Sequence, residues 1–229
     1  MANILITGAN RGIGLELVRQ YLARGDRVFA GVREPQRAEE LKKLSGKLVV
    51  VQLNVADENS IRSARDAVKR QTDRIELLVN NAGINPPYGE QKLGALKMET
   101  GMQVMRTNAI GPVIMVQEFL ELLRKGTGKI ASITSGWGSI SGNDGSFPCW
   151  YSGSKAALNM MMRSVAGEVG KEGMASVVIS PGWVKTDMGS DAAPLSPEES
   201  VRGIIRVIDG LGAEENGKFY DHKGGEVAW

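Results

Sequence analysis

A tyrosine and a lysine four positions apart provide the chain with a candidate acid–base pair. Tyr151 and Lys155 stand in the segment YSGSK, and this spacing places two side chains on the same face of a helix. An ammonium group near a phenol stabilises the phenolate and lowers the phenol pKa. The phenol can then act as a general acid for a carbonyl oxygen or as a general base for an alcohol. Because such pairs also occur by chance, the spacing alone does not establish a site.

A second candidate site is the glycine-rich segment TGANRGIG at residues 7–14. The apolar residues 4–6 precede it as a buried parallel strand would, and Ile13, Leu17 and Tyr21 follow at helical spacing. Glycines at a strand-to-helix turn let a phosphate approach main-chain N–H groups at the positive end of the helix. The flanking strand and helix favour a dinucleotide site over an ordinary tight turn.

The end of the second predicted strand, residues 27–32, bears on the choice of cofactor. Rossmann proteins that use NAD usually carry an acid here, which binds the ribose 2′-hydroxyl, whereas this chain has Val32 followed by Arg33. A guanidinium can bind a 2′-phosphate, and Arg11 could add a second positive charge. The sequence therefore favours NADPH over NADH. The alternatives are that both arginines are ordinary surface residues, or that Glu34 serves a ribose hydroxyl.

The elements that must position these residues alternate along the chain. Strands are predicted at residues 4–6, 27–32, 47–53, 75–79, 129–133, 175–179 and 218–220. Helices are predicted at residues 13–22, 35–46, 61–68, 99–124, 151–165 and 197–210. This alternation predicts an α/β fold, a doubly wound parallel seven-stranded sheet in three layers, formed by residues 1–229 as a single dinucleotide-binding Rossmann domain. Ligands of such sheets bind beyond the C-terminal ends of the strands, where every motif above falls.

Composition excludes several other classes of protein. The 229 residues carry 28 basic and 26 acidic side chains, a net charge of +2, which gives no sign of a nucleic-acid partner. No apolar run is long enough to span a membrane, and the first strand begins too early for a signal peptide. The single cysteine, Cys149, favours a cytoplasmic location and is interpreted as a wall of the substrate pocket. His222 is interpreted as a surface residue, and no metal site is predicted.

The motifs, taken together, resemble the short-chain dehydrogenase/reductase family. TGANRGIG, NNAG at 80–83, Asn108, Ser135, YSGSK and PGWVKTDM at 181–188 stand in the order of that family along nearly the whole chain. The short length and the ending from Phe219 to Trp229 are similar to its C-factor-like and sniffer-like carbonyl reductases.

The resemblance implies four catalytic residues. Tyr151 would be the acid–base group, and Lys155 would bind the nicotinamide ribose and lower the pKa of Tyr151. Ser135 would orient the carbonyl, and Asn108 would hold a water in a proton relay. From the residues alone, Asn108 has a structural alternative, because it stands close to Pro112 within a predicted helix.

Two serines rival Ser135, since the segment from Ser135 to Tyr151 is slightly longer than usual in the family. They are Ser132 and Ser139. The residues that the resemblance and the motifs assign to the cofactor are Gly8, Asn10, Arg11, Gly12, Ile13, Gly14, Arg33, Asn54, Val55, Asn81, Ala82, Gly83, Tyr151, Lys155, Pro181, Gly182, Val184 and Thr186. Among these, Asn54 stands where the family usually has Asp, and it could equally serve a turn or a helix cap.

The function that we predict is NADPH-dependent reduction of an aldehyde or ketone, with Tyr151 as the general acid. The alternatives are an NAD-dependent alcohol dehydrogenase and a dinucleotide-binding signalling or regulatory protein with little turnover. A short substrate loop at about residues 186–197 favours modest carbonyl compounds. The resemblance also implies a homodimer or homotetramer, built from the helices at 99–124 and 152–170, and the ten methionines are interpreted as core or subunit contacts.

Overall fold

Seven strands form one sheet, and every pairing in it is parallel. The computed structural model describes residues 1–123 and 128–229. The strands are β1 (Asn3–Thr7), β2 (Arg27–Val32), β3 (Lys47–Gln52), β4 (Leu77–Asn80), β5 (Lys129–Ile133), β6 (Ala175–Ser180) and β7 (Phe219–Asp221). They are arranged in the order β3-β2-β1-β4-β5-β6-β7. The prediction of a doubly wound parallel sheet is confirmed.

Helices cover both faces of this sheet. They are α1 (Gly12–Ala23), α2 (Glu39–Lys42), α3 (Glu58–Lys69), α4 (Met98–Met105), α5 (Gly111–Phe119), α6 (Cys149–Val169) and α7 (Pro197–Asp209). Alternate residues of a strand face opposite sides, so Ile4 and Ile6 pack with α1, α2 and α7 while Leu5 packs with α3, α5 and α6. Strands that are apolar on both faces therefore separate two cores, and the three layers follow. None of the helices in the described residues is long and apolar enough to cross a bilayer.

Two predicted helices differ from the observed structure. Residues 35–46 form only a 3₁₀ turn, Pro35–Arg37, and the four-residue α2, because Ala38 and Leu41 are the buried apolar side chains that this charged segment provides. The helix predicted at 99–124 is divided into α4, a π-helical turn at Arg106–Ile110 and α5. Residue 124 lies outside the described residues.

The π-helical turn accommodates the proline that follows it. Gly111 N–H donates to the carbonyl of Arg106, five positions earlier, and Pro112, which has no N–H, then enters the first turn of α5. A wide turn at this point replaces the sharp bend that a proline within an α-helix would cause.

The connection from β6 to α7 contains the predicted substrate loop. A bridge between Val184 and Leu195 closes its base, with Lys185 N–H donating to Leu195 O at 2.8 Å. Helix α7 begins at Pro197 behind a capping box, in which the hydroxyl of Ser196 accepts from Glu199 N–H. The connection therefore ends where α7 begins, and its role as a substrate loop stays a prediction.

Candidate active site

Tyr151 and Lys155 lie on the same face of α6, in its first two turns. Both side chains point into the protein, with exposed fractions of 8% and 4%. The Lys155 ammonium is 5.7 Å from the centroid of the Tyr151 ring. The structure thus brings the two groups together as their spacing predicts.

The Lys155 ammonium is fixed at the end of β5. Its Nζ donates to the carbonyl of Ile133 at 2.8 Å, and burial lowers its pKa to about 8. A Cβ atom on Gly83 would lie 3.7 Å from Nζ. Because Gly83 has no side chain, the ammonium remains open toward the C-terminal ends of β4 and β5.

Burial governs the acidity of Tyr151. It raises the pKa of the Tyr151 phenol to about 12, and a hydrogen bond with Ser135 acts in the opposite direction. The net direction is opposite to the lowering by Lys155 that the spacing predicts, since the ammonium is bonded to Ile133 O and burial dominates. The phenol is therefore protonated at neutral pH, as a proton donor must be.

Of the three candidate serines, Ser135 is the one whose hydroxyl lowers the pKa of the Tyr151 phenol, against the larger effect of burial. The buried hydroxyl of Ser132 accepts from Asn80 Nδ2 at 3.2 Å. The hydroxyl of Ser139 accepts from the N–H of Gly142 at 3.1 Å. These two serines serve the sheet end and the following loop, so the structure favours the assignment of Ser135.

The Asn108 side chain fastens the loop after β4. Its Oδ1 accepts from Ile84 N–H at 2.8 Å and its Nδ2 donates to Ile84 O at 2.8 Å. The same Nδ2 donates to Ser154 Oγ at 3.0 Å, and Ser154 Oγ donates to Tyr151 O at 2.7 Å. The side chain therefore has the structural role that the sequence left open, and it connects the π-helical turn to α6.

Gln91 positions the start of α6, a role that the sequence did not indicate. Its Oε1 accepts from the N–H of Tyr151 at 2.8 Å. Its Nε2 donates to Asn85 Oδ1 at 3.0 Å and to Pro86 O at 2.6 Å. A loop glutamine carries no local signal for such a contact, because its partners are distant in the sequence.

The loop that follows Ser135 is anchored by Trp229. Ser141 donates to Trp229 O from its N–H at 3.0 Å and from its hydroxyl at 2.8 Å. The Trp229 ring packs against Phe219, with centroids 5.6 Å apart, and the Arg163 guanidinium lies 4.8 Å from the ring centroid. The segment after β7 thus supports the loop that follows Ser135.

The glycine turn requires its glycines for two reasons. Gly8 has a φ of +65°, which L-residues with side chains rarely adopt, and a Cβ there would lie 2.8 Å from Ala82 Cα. A Cβ on Gly14 would collide with Gly8 O and lie 2.5 Å from Asn81 Nδ2. The turn therefore packs directly against the segment after β4.

Asn81 supports this turn with its side chain. Its Nδ2 donates to Thr7 O at 2.9 Å and to Gly8 O at 3.1 Å. The main-chain N–H groups of Asn81 and Ala82 both donate to Thr7 Oγ1 at 3.0 Å. The Asn81 side-chain donors therefore hold the glycine turn, and Asn81 also lines the cleft, so its place beside a ribose stays a prediction. Thr7 is a supporting residue that sequence reasoning missed.

A cleft at the C-terminal ends of the strands collects most of the predicted cofactor residues. Those that line it are Gly8, Asn10, Arg11, Gly12, Ile13, Gly14, Arg33, Asn54, Val55, Asn81, Ala82, Gly83, Tyr151, Lys155, Pro181 and Thr186. The lining residues that were not predicted are Val32, Leu53, Ala56, Ile84, Gln103, Thr107, Ile133, Thr134, Asp187 and Met188. The site is thus continuous from the glycine turn to Tyr151.

Two predicted cofactor residues do not line this cleft. Val184 is buried and forms the bridge to Leu195. A Cβ on Gly182 would lie 2.6 Å from Leu195 Cδ1 and 3.0 Å from His222 Cε1. His222 is therefore half-buried against the β6–α7 connection and is not the surface residue that was predicted. Its Nδ1 is buried, with no hydrogen-bond partner in the part of the chain that the structure describes.

The charged groups at the adenine end of the cleft are differently engaged. Arg33 is exposed on the cleft wall, and the described residues include no ion-pair partner for it. Glu34 pairs with Arg37 at 3.1 Å, whereas Arg11 pairs with Asp187 at 2.8 Å. Arg33 is accordingly the cation that is free for an anionic ligand, while Arg11 is occupied.

Asn54 forms a local turn at the same end. Its Oδ1 accepts from Ala56 N–H at 3.1 Å, and its own N–H donates to Ser60 Oγ at 2.9 Å. This is the turn role that the sequence left open. Among residues 1–123 and 128–229, no group of three or more His, Cys, Asp or Glu side chains could hold a metal ion.

Comparison with known proteins decides the family. The family model for short chain dehydrogenases matches residues 2–195. The chain belongs to this family. C-signal of Myxococcus xanthus is 40% identical over 159 residues, which cover 69% of this chain and 95% of that protein. This short-chain dehydrogenase is therefore an oxidoreductase by family.

Two solved structures extend the similarity to the whole chain. An NADPH-bound carbonyl reductase from chicken fatty liver is 36% identical, with a TM-score of 0.92, and the match covers 100% of this chain and 99% of that one. The carbonyl reductase Sniffer of D. melanogaster is 29% identical, with a TM-score of 0.93, and the match covers 100% of both chains. The predicted family and its C-factor-like and sniffer-like branch are confirmed.

Proposed function

We propose that the protein reduces an aldehyde or ketone to an alcohol with NADPH, and that Tyr151 is the general acid. The observation that carries the proposal is the surroundings of the Tyr151 phenol. Burial keeps it protonated, Ser135 bonds it, and the Lys155 ammonium lies over its ring. A protonated donor beside a second hydroxyl matches what a carbonyl oxygen needs as negative charge develops on it.

Different residues of the cleft bind different parts of NADPH in this proposal. NADPH, when bound, supplies the hydride. The glycine turn offers main-chain N–H groups to its diphosphate at the start of α1, and the free Arg33 guanidinium pairs with its 2′-phosphate. The open Lys155 ammonium, beside Gly83, donates to a ribose hydroxyl. The chicken liver reductase of the same fold binds NADPH, which supports this choice of cofactor.

The remaining two catalytic assignments concern the carbonyl and the proton. The Ser135 hydroxyl holds the carbonyl oxygen next to Tyr151, which donates the proton. Asn108 maintains this arrangement through Ile84 and Ser154, and we retain its proposed part in returning a proton through a bound water. The reverse reaction, an NAD-dependent alcohol oxidation, needs a phenolate. Burial raises the Tyr151 pKa, so the phenol carries the proton that the reduction of a carbonyl needs.

The second candidate function is a dinucleotide-binding signalling protein with little turnover. The 40% identity to C-signal favours it. Turnover separates the two candidates, because a signalling protein of this kind would bind the cofactor without reducing carbonyls.

The decisive experiment compares Tyr151→Phe with the unaltered protein on a panel of aldehydes and ketones, with NADPH and with NADH. Loss of the hydroxyl should lower turnover at least about a hundredfold and leave NADPH binding unchanged. Tyr21→Phe is a matched control, since the buried Tyr21 hydroxyl has no partner in the described residues. Equal turnover of Tyr151→Phe and Tyr21→Phe would contradict the proposed acid.

The assembly and location of the protein complete the proposal. We retain a homodimer or homotetramer through α4, α5 and α6, because Met98, Met102 and Met160 expose their side chains there. Met102→Glu combined with Met160→Glu should lower the molar mass measured by light scattering, whereas Leu93→Glu, at an exposed loop position, should not.

The exposed free thiol of Cys149 supports a cytoplasmic location, and one sheet supports a single domain of residues 1–229.

A further inference from the structure

Outside the cofactor cleft, the Tyr151 ring contacts an aromatic side chain. The Trp137 ring meets the Tyr151 ring edge to face, with centroids 6.1 Å apart and an interplanar angle of 84°. The Phe147 ring lies 5.8 Å from Trp137 at 35°. Although it is held between two rings, the Trp137 side chain is 42% exposed. Neither Trp137 nor Phe147 lines the cofactor cleft, so these rings form a separate wall beside the catalytic phenol.

The backbone that carries Trp137 is held against α6. Ser135 Oγ accepts from Trp137 N–H at 3.2 Å, and Asn159 Nδ2 donates to Gly138 O at 3.1 Å. A Cβ on Gly138 would lie 3.0 Å from Lys155 Cβ. Because the catalytic serine and the helix fix the residues on both sides of Trp137, the position of its ring is defined relative to the reacting groups.

The charge of this wall limits what can bind there. Between Ser135 and Tyr151 the sequence contains one charged residue, Asp144, and no cation. Its carboxylate accepts from the Ser146 hydroxyl at 2.6 Å and from the Ser146 N–H at 3.0 Å. In this segment a carboxylate substrate would meet one negative charge and no positive charge. An uncharged planar group would instead meet aromatic rings.

We propose that Trp137 is a specificity-determining residue that binds the ring of an uncharged aromatic aldehyde or ketone. The inference rests on the proposed function and names its substrate class. The carbonyl carbon accepts hydride from NADPH, the carbonyl oxygen accepts the Tyr151 proton, and the products are the aryl alcohol and NADP⁺; solvent then returns a proton to Tyr151. Rings pair favourably at centroid distances of about 4.5–7 Å, the range in which Trp137 already meets Tyr151.

The test compares two aldehydes that differ in aromaticity and not in ring size, benzaldehyde and cyclohexanecarbaldehyde. The unaltered protein should favour benzaldehyde in kcat/KM by about two- to tenfold, the range expected for one aromatic pair. Trp137→Ala should abolish this preference, and Trp137→Phe should retain most of it. Ile140→Ala removes another exposed apolar side chain of the same loop and should leave the preference unchanged. Benzaldehyde should also be preferred to 4-carboxybenzaldehyde, which carries a negative charge.

A binding measurement separates failure of this inference from failure of the proposed function. Titration of benzaldehyde into the NADP⁺-loaded protein by calorimetry needs no turnover. Binding that Trp137→Ala weakens and Trp137→Phe restores supports the aryl site even if no carbonyl is reduced. If Trp137→Ala changes neither this binding nor the ratio of kcat/KM values, the inference is overturned.

Discussion

Arg11 and Asp187 form a 2.8 Å ion pair across the cofactor cleft, although 176 positions separate them in the sequence. Arg11 belongs to the glycine turn, and Asp187 follows β6. Both line the cleft, and beside them a Cβ on Gly12 would lie 3.2 Å from Thr186 Cγ2. The pair therefore places a carboxylate where an anionic cofactor should bind, and it occupies a guanidinium that would otherwise face the phosphates.

Asp187→Asn should tighten NADPH binding, because it removes a repulsive charge and releases Arg11. We expect an up to about fivefold lower Kd at low ionic strength, about what one exposed charge interaction contributes. The difference should shrink as salt screens the charges. Fluorescence titration of NADPH at low and high salt measures both effects.

Arg11→Gln should have the opposite effect, since it leaves Asp187 uncompensated beside the phosphates. Asp191→Asn is the matched control: it removes the same charge from an exposed position on the same connection, outside the residues that line the cleft. Weaker NADPH binding in Asp187→Asn would show that the carboxylate assists the cofactor instead of opposing it.

Arg33→Ala should change the choice of cofactor. A charge-assisted hydrogen bond contributes about 1.5–3 kcal/mol, so NADPH affinity should fall about ten- to a hundredfold while NADH affinity stays nearly the same. Val32→Asp should repel the 2′-phosphate and accept a bond from the ribose hydroxyl of NADH. Titration of both variants with both cofactors is the measurement. An unaltered ratio of the two affinities in Arg33→Ala would remove Arg33 from cofactor selection.

Lys155→Met should make the fold more stable while turnover falls. Burial lowers the pKa of Lys155 from 10.5 to about 8, which corresponds to a cost on the order of 3 kcal/mol for the charged form. Below pH 8 the lysine is charged in the folded and unfolded states, so the full cost applies. Between pH 8 and 10.5 the folded state loses the proton first, and the cost disappears.

The advantage of Lys155→Met should thus be largest below pH 8 and fade toward pH 10.5, reduced throughout by the lost bond to Ile133. Urea unfolding at pH 7 and at pH 10 measures it. Lys129→Met is an informative comparison, because burial also lowers the pKa of Lys129 at a position remote from the cleft. A constant difference between Lys155→Met and the unaltered protein over this pH range would contradict the assigned pKa.

Asn108→Ala should lower both stability and turnover. It leaves the N–H and carbonyl of the half-buried Ile84 without their side-chain partner. A fully buried unsatisfied group costs on the order of 1–3 kcal/mol, and the cost is smaller where water reaches the group. Thermal unfolding and steady-state kinetics should therefore change together. A large loss of turnover with an unaltered Tm would instead identify a role in proton transfer without the structural one.

Local patterns account for what could be predicted from the sequence. Residues 28–32 are apolar on both faces, and Leu17 and Tyr21 repeat at helical spacing. Short segments therefore contain the information for a parallel sheet covered by helices. Tyr151 and Lys155 belong to one helix, and their mutual position follows from the helical repeat. The glycine turn is likewise contiguous.

The features that could not be predicted from the sequence depend on contacts between distant segments. The Arg11–Asp187 pair and the Gln91–Tyr151 bond depend on how whole elements pack, and no local pattern records them. The acidity of Tyr151 was predicted in the wrong direction because spacing identifies a neighbouring charge but does not reveal how much protein surrounds the phenol. The burial of Val184 in its bridge to Leu195 likewise depends on a distant residue, and its contact with the cofactor stays a prediction.

The hydrogen bonds between Ser141 and Trp229 join the loop after Ser135 to a residue that is synthesised after every residue of the cleft. All residues that line the cofactor cleft lie between Gly8 and Met188, whereas the loop after Ser135 is fastened by Trp229. A ribosome delivers the chain from its N-terminus, so the cleft is assembled from residues that emerge before the anchor. The loop after Ser135 is therefore fastened only when the chain has emerged as far as Trp229, 41 positions after the last residue that lines the cleft.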